Sequence, residues 1–204
     1  MKLLEYTLKN RAGVIVNAYK IHMAKGGRVL DVGCGNGVIS KILSDNFGCK
    51  ITGTDILDYN KVGLDFKQMK GDGELPFADN SFDIVMFNDM LHHVSKGLQI
   101  VFIKEALRIG KRVLIFELKP TLYAKFTDWL ANKVHNWEMN IPLTQRTLGE
   151  WEAMFKENDI NFKSVEIKRS FPSNPFRLSY EHLAELLYCP VTNYCFQLDK
   201  DGRN

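Results

Sequence analysis

The stretch Val29-Leu30-Asp31-Val32-Gly33-Cys34-Gly35-Asn36-Gly37 sets three glycines at alternate positions behind a short apolar run. Glycine adopts positive φ and has no Cβ, so such a turn lets backbone approach a ligand closely. The helix that follows presents unpaired N–H groups to the same ligand. By itself the turn is a weak signal, because dinucleotide loops and plain tight turns share it. Three companions strengthen it. Asp55 ends a second apolar run about twenty residues on, where a carboxylate can accept hydrogen bonds from both hydroxyls of a ribose. Gly71-Asp72-Gly73-Glu74-Leu75-Pro76-Phe77 supplies another carboxylate, and Ser81-Phe82-Asp83-Ile84-Val85 opens a further apolar run. The chemistry implied is the holding of a nucleoside-bearing ligand.

The elements that must position these residues alternate along the chain. Strands are expected at Arg28–Val32, Lys50–Thr54, Phe66–Lys70, Phe82–Phe87 and Arg112–Leu118, with helices between these first five. Gly37–Asn46 carries Val38, Ile39, Ile42 and Leu43 at helical spacing, and Lys96–Gly110 does so with Ile100, Val101, Ile103, Leu107 and Ile109. That alternation is the pattern of a mostly parallel sheet covered on both faces, in which ligands settle at the carboxyl ends of the strands. A leading helix is expected over 5–24, with Val14, Ile15, Ala18, Tyr19 and Ile21 available for burial. In the second half, Tyr123–His135 reads as an amphipathic helix with Phe126, Trp129, Leu130 and Val134 inward. Thr147 and Glu150 form a capping box ahead of Trp151, Met154 and Phe155. Strands at Phe162–Ser170 and Tyr194–Leu198, a loop broken by Pro172 and Pro175, and a short helix at Tyr180–Tyr188 complete the chain.

Asp-x-Gly-x-Gly-x-Gly at 31–37, Asp55, Gly71-Asp72 with Leu75-Pro76-Phe77, and the segment Asp83 to His93 together resemble the class I S-adenosylmethionine-dependent methyltransferases. The branch they are most similar to is the small-molecule group that includes the ubiquinone/menaquinone-biosynthesis C-methyltransferases. The resemblance covers roughly 28–118 and fades beyond. It implies an α/β, doubly wound, mostly parallel seven-stranded sheet of order 3-2-1-4-5-7-6, with the last strand antiparallel. One domain would then span 1–204: a leading helix (1–27), a cofactor-binding half (28–118) and a substrate-side half (119–204). By the same resemblance S-adenosylmethionine is the cofactor. Asp31, Gly33, Cys34, Gly35 and Gly37 would hold its methionine portion and Asp55 its ribose. Ile56 would lie against the adenine face, Asp72 beside Gly73 would receive the adenine amino group, and Asn88 would lie under the methionine end. A nicotinamide dinucleotide fits less well, because its fingerprint needs a small residue where Val38 stands.

Methyl transfer from a sulfonium is an in-line displacement that positioning can accelerate. A general base is required only where the acceptor must lose a proton. His92, His93 and His135 are the candidate catalytic residues, because histidine titrates near neutrality. Asp89 could orient an acceptor or a histidine, or cap the next helix. Tyr123 and Trp137, near loops in an aromatic-rich stretch, are candidates to line a pocket for a flat or lipid-like small molecule. Trp151 and Phe155 read as core. Lys104, Arg108, Lys111 and Arg112 read as a solvated helix face.

Composition narrows the field. In 204 residues, 45% are hydrophobic and 25% charged, as in ordinary globular domains. A net charge of +3 lacks a nucleic-acid footprint. Cys34, Cys49, Cys189 and Cys195 form no CxxC pair and have no histidine at zinc-ligand spacing, so free thiols, no metal and a cytoplasmic location are expected. No apolar run approaches the roughly 18–20 residues of a membrane span. Two alternatives stay open: an RNA or protein methyltransferase, although Asn88-Asp89-Met90-Leu91 lacks the Asn/Asp-Pro-Pro-aromatic mark of amide and exocyclic nitrogen methylation, or a cofactor-binding regulator without catalysis.

Overall fold

The computed structural model describes residues 2–135, 142–167 and 193–200. β1 (Arg28–Val32), β2 (Lys50–Thr54), β3 (Asp65–Phe66), β4 (Phe82–Asn88) and β5 (Gly110–Leu118) run parallel, and β6 (Phe162–Ile167) and β7 (Asn193–Asp199) complete one seven-stranded sheet. Its order is β3-β2-β1-β4-β5-β7-β6, with β7 antiparallel to both β5 and β6. This is the expected doubly wound arrangement.

Period-two side-chain alternation divides each central strand between two cores. Val29, Ile51, Ile84, Met86, Leu114 and Phe116 face α1 (Lys2–Tyr19) and α2 (Val38–Phe47) with Ile15, Tyr19 and Leu43. Leu30, Val32, Val85, Phe87, Val113 and Ile115 face the other way, toward Phe102, Ile103 and Ala106 of α3 (Lys96–Ile109) and Trp151 and Phe155 of α5 (Leu148–Glu157). Because both faces are covered, the central strands are apolar runs rather than polar–apolar alternations. Trp151 and Phe155 are buried, as expected of core residues. The Thr147–Glu150 capping box forms with both of its reciprocal hydrogen bonds.

Several expectations need correction. α1 stops at Tyr19, where a turn takes over, so Ile21 lies beyond the helix and is exposed. β3 is two residues long and overlaps the expected stretch only at Phe66. No helix joins β2 to β3 or β3 to β4. Those connections carry Gly63, Gly71 and Gly73 at positive φ, and Pro76 denies a ladder or helix donor. On α4 (Leu122–His135), Phe126 and Trp129 point outward and stack on each other, ring centroids 6.1 Å apart. The side chains of Leu130 and Val134, the segment 168–170 of the expected sixth strand, the proline loop and the Tyr180–Tyr188 helix lie outside the described residues. Among the described residues no helix is long and apolar enough to cross a membrane.

Candidate active site

The order of the sheet reverses direction between β1 and β4, and the candidate residues gather at the carboxyl ends of those strands. The glycine turn leaves β1 with Gly33 and Cys34 donating to the Thr54 carbonyl at 2.8 and 3.2 Å, which ties it to the end of β2. Gly33 has φ +75°, and a Cβ there would lie 2.3 Å from Met90 Cγ, so this glycine is required by packing. Gly35 differs. Its φ is +54° and a Cβ would meet nothing within 4 Å, so the turn opens onto free space at that position. Gly37 closes the turn against Val62 and Leu64 at the start of α2.

Asp55 accepts the Gly35 N–H at 2.9 Å and the Ile56 N–H at 2.7 Å. Each carboxylate oxygen retains a further lone pair. Burial pushes the Asp55 carboxyl above its ordinary value, against those two hydrogen bonds. The Cys34 side chain packs over Gly53, and burial raises its thiol far above ordinary, so it offers backbone and bulk rather than a thiolate. Gly71 packs on Ile56, where a Cβ would lie 2.8 Å from the Ile56 methyl, and this seats the Asp72-Gly73 turn beside Ile56. Asp72 is exposed and accepts the Glu74 N–H at 3.1 Å.

Beneath the turn, Asp31 is buried, holding Ser40 Oγ–H at 2.5 Å on one oxygen and Asn88 Nδ2–H at 3.1 Å on the other. Burial raises its pKa to about 7, against the lowering effect of those two hydrogen bonds. Asn88 in turn accepts the Tyr19 hydroxyl at 2.9 Å. Asp89, with φ +54°, has its carboxylate gripped by both Nε and a terminal nitrogen of Arg11, and its charge also acts on His93. Arg11 also donates to Asn193 Oδ1 at 2.8 Å and lies over Phe116, 4.7 Å from the ring centre. So α1 reaches into the site through two side chains.

His92 is buried, with Nδ1 2.5 Å from Glu117 Oε2 and Nε2 3.3 Å from Asp128 Oδ2. Burial alone would lower its pKa, but Glu117 and Asp128 outweigh that and raise it. Glu117 also accepts the Leu91 N–H at 2.7 Å, so it fixes both the backbone and the ring of the Leu91–His93 3-10 turn. The His93 ring lies 4.1 Å from that of His92. Burial first and the His92 charge second lower its pKa to about 4. Tyr123 is half-buried on α4. His135 ends that helix, and its side chain, like all of Trp137, lies outside the described residues.

Of the basic residues expected to form a solvated face, Lys104 and Lys111 are exposed, and Arg108, Lys111 and Arg112 also pair with acids. Arg108 binds Glu105, Asp79 and the carbonyls of Leu75 and Phe77, which clamps the loop after Asp72 onto α3. Lys111 pairs with Asp83 and Arg112 with Asp199. Sequence reasoning missed Arg11, Tyr19, Ser40, Glu117 and Asp128 at the site. Only Glu117 left a signal, as an acid interrupting the apolar run of β5.

A glycine turn on β1, an acid ending β2 and this sheet order are features the chain shares with the class I, S-adenosylmethionine-dependent methyltransferases. Residues 30–115 match the family model described as a methyltransferase domain. The chain is 40% identical over 80 residues to the sterol 24-C-methyltransferase erg6 of Schizosaccharomyces pombe, covering 33% of this chain and 21% of that protein. It is 28% identical over 199 residues to a fatty-acid O-methyltransferase of Mycolicibacterium smegmatis, covering 84% and 68%. With the uncharacterized methyltransferase YcgJ of Bacillus subtilis it shares 26% identity over 157 residues, covering 68% and 59%. The crystal structure of YcgJ superposes with a TM-score of 0.61 at 17% identity, over 95% of this chain and 100% of that one. The chain thus spans less than two thirds of the length of the first curated relatives it matches, 21% of erg6 and 59% of YcgJ.

Proposed function

We propose that the protein is an enzyme that transfers the methyl group of S-adenosylmethionine to a small, apolar, lipid-like acceptor. The observation that carries this reading is Gly35, which gives its N–H to Asp55 while its missing Cβ leaves open space before the turn. A ligand with a ribose, a flat base and a charged amino acid end fits that arrangement. The spare lone pairs of Asp55 suit the ribose hydroxyls. Ile56 offers an apolar surface to the base, and Asp72 with Gly73 stands at its edge. Asp31, Gly33, Cys34, Gly37 and Asn88 take the methionine end, with Asp31 supplying negative charge toward a cationic ligand. When bound, S-adenosylmethionine supplies an electrophilic methyl group on a sulfonium.

The contribution of the protein is then chiefly orientation, worth up to roughly 7–11 kcal/mol for well-aligned reactants. His92 is pinned between two carboxylates and buried, so it acts by holding the 3-10 turn in place. His93, neutral at pH 7, is the residue we assign to take a proton where an acceptor must lose one.

Two observations support the acceptor class. Leu122, Phe126 and Trp129 are 90%, 58% and 47% exposed on α4, at helical spacing and on the helix that carries Tyr123 and Asp128. Two of the three similar proteins named above take their names from a sterol and a fatty acid. S-adenosylmethionine labelled in its methyl group, incubated with cell extract and this protein, tests the assignment. Label is expected in the organic-soluble small-molecule fraction, and label confined to RNA or protein would replace this reading.

A further inference from the structure

We propose that His92, His93 and Asp128 form a binding site for a divalent transition-metal ion, with Glu117 behind His92 fixing its orientation. This goes beyond the methyltransferase reading and does not depend on it; with the metal bound, His93 serves as a ligand in place of the proton-accepting role given to it above. One ring nitrogen of each histidine and a carboxylate oxygen of Asp128 all lie within 4.8 Å of one another. Glu117 is buried and accepts at His92 Nδ1, so the Nδ1–H is used there and Nε2 is left facing Asp128, with a lone pair free for a metal once its proton is displaced. At 3.3 Å these two atoms hold a cation between them, a proton in the empty site or a metal ion in its place. That separation suits an ion: ligands at about 2.1 Å from a tetrahedral metal sit roughly 3.4 Å from each other.

A proton could join His92 to Asp128, but it would leave the third donor unserved. His93 Nδ1 is buried and has no hydrogen-bond partner, and neither has His92 Nε2 beyond its ionic contact with Asp128. One metal ion takes all three donors at once. A carboxylate on the far nitrogen of a ligating histidine is the usual support of such sites, and Glu117 occupies that place. Asp128 is itself oriented by Gln145 Nε2–H at 3.1 Å. Two imidazoles and one carboxylate favour zinc, cobalt or iron over magnesium or calcium. Three protein ligands leave a position open for water or an oxygen-bearing molecule, as in catalytic rather than structural sites.

The test uses the full chain, stripped by chelator and titrated with Co2+ alone, with Zn2+ as competitor. One equivalent of Co2+ is expected to bind with visible ligand-field absorption of low coordination number, and Zn2+ should abolish that absorption. His93→Asn and Asp128→Asn, checked for folding by circular dichroism, should each weaken Co2+ at least about tenfold. Either variant suffices if the other fails to fold. Absence of the absorption in wild type, or unchanged affinity in a folded variant, overturns the site. Binding of S-adenosylhomocysteine to wild type is measured separately, so the cofactor reading and the metal site fail independently.

Discussion

Asp31 is the residue at which burial and the proposed ligand binding meet. Its folded-state pKa of about 7 lies above the ordinary 3.8, so its contribution to folding is greatest at low pH and is lost as pH rises through about 7. The ammonium group on the amino-acid end of S-adenosylhomocysteine, placed beside it, favours the ionised form. Affinity for S-adenosylhomocysteine should therefore climb with pH to about 7 and level off, by up to about tenfold per unit below that point. Asp31→Asn should flatten the profile, and titration calorimetry across that range checks both; a flat wild-type profile would remove Asp31 from the binding site. The two glycines of the turn give a contrasting pair. Gly35→Ala keeps its neighbours and adds only backbone strain, about 1–2 kcal/mol, yet fills the open space, so binding should suffer more than stability. Gly33→Ala drives a methyl into Met90 and should lower stability further than Gly35→Ala does. Equal losses of stability, read by chemical denaturation, would contradict that difference.

Among the elements, α1 is the one whose role exceeds its reading in the sequence. Its apolar positions announced a packing helix, and Ile15 and Tyr19 are indeed buried. Nothing in the pattern announced that Arg11 would grip Asp89, or that the Tyr19 hydroxyl would orient Asn88 and through it Asp31. These contacts join residues 69 and 78 positions apart, which local spacing cannot report. Arg11→Ala should cost about 1–3 kcal/mol, because it leaves a half-buried carboxylate without its partner. Tyr19→Phe should cost about 0.5–1.5 kcal/mol and weaken S-adenosylhomocysteine by freeing the Asn88 amide. Denaturation and calorimetry on the two variants check this, and a Tyr19→Phe protein with full affinity would separate α1 from the site. The α4 helix taught the opposite lesson. Its spacing predicts an amphipathic helix with Phe126 and Trp129 inward, and the helix forms with both facing outward. Amphipathic periodicity identifies a stripe and cannot say whether protein, ligand or partner covers it.

At the scale of the whole molecule, the order of the sheet and the antiparallel last strand followed from the resemblance over 28–118, while the strands themselves were visible as apolar runs. The bare connections around β3 were not, because glycines and Pro76 deny helices there without saying what replaces them. Arg108 replaces them, holding the 72–79 loop by ionic and carbonyl contacts. The sheet thus converges one glycine turn, Asp55 and the Asp31–Asn88 pair at the carboxyl ends of β1, β2 and β4. Calorimetry of S-adenosylhomocysteine with wild type and Asp55→Ala tests that convergence most directly. The account predicts one site per chain and a loss of about tenfold or more in the variant, the worth of a charge-assisted hydrogen bond of roughly 1.5–3 kcal/mol. No binding to wild type, or the same affinity in both proteins, would contradict it.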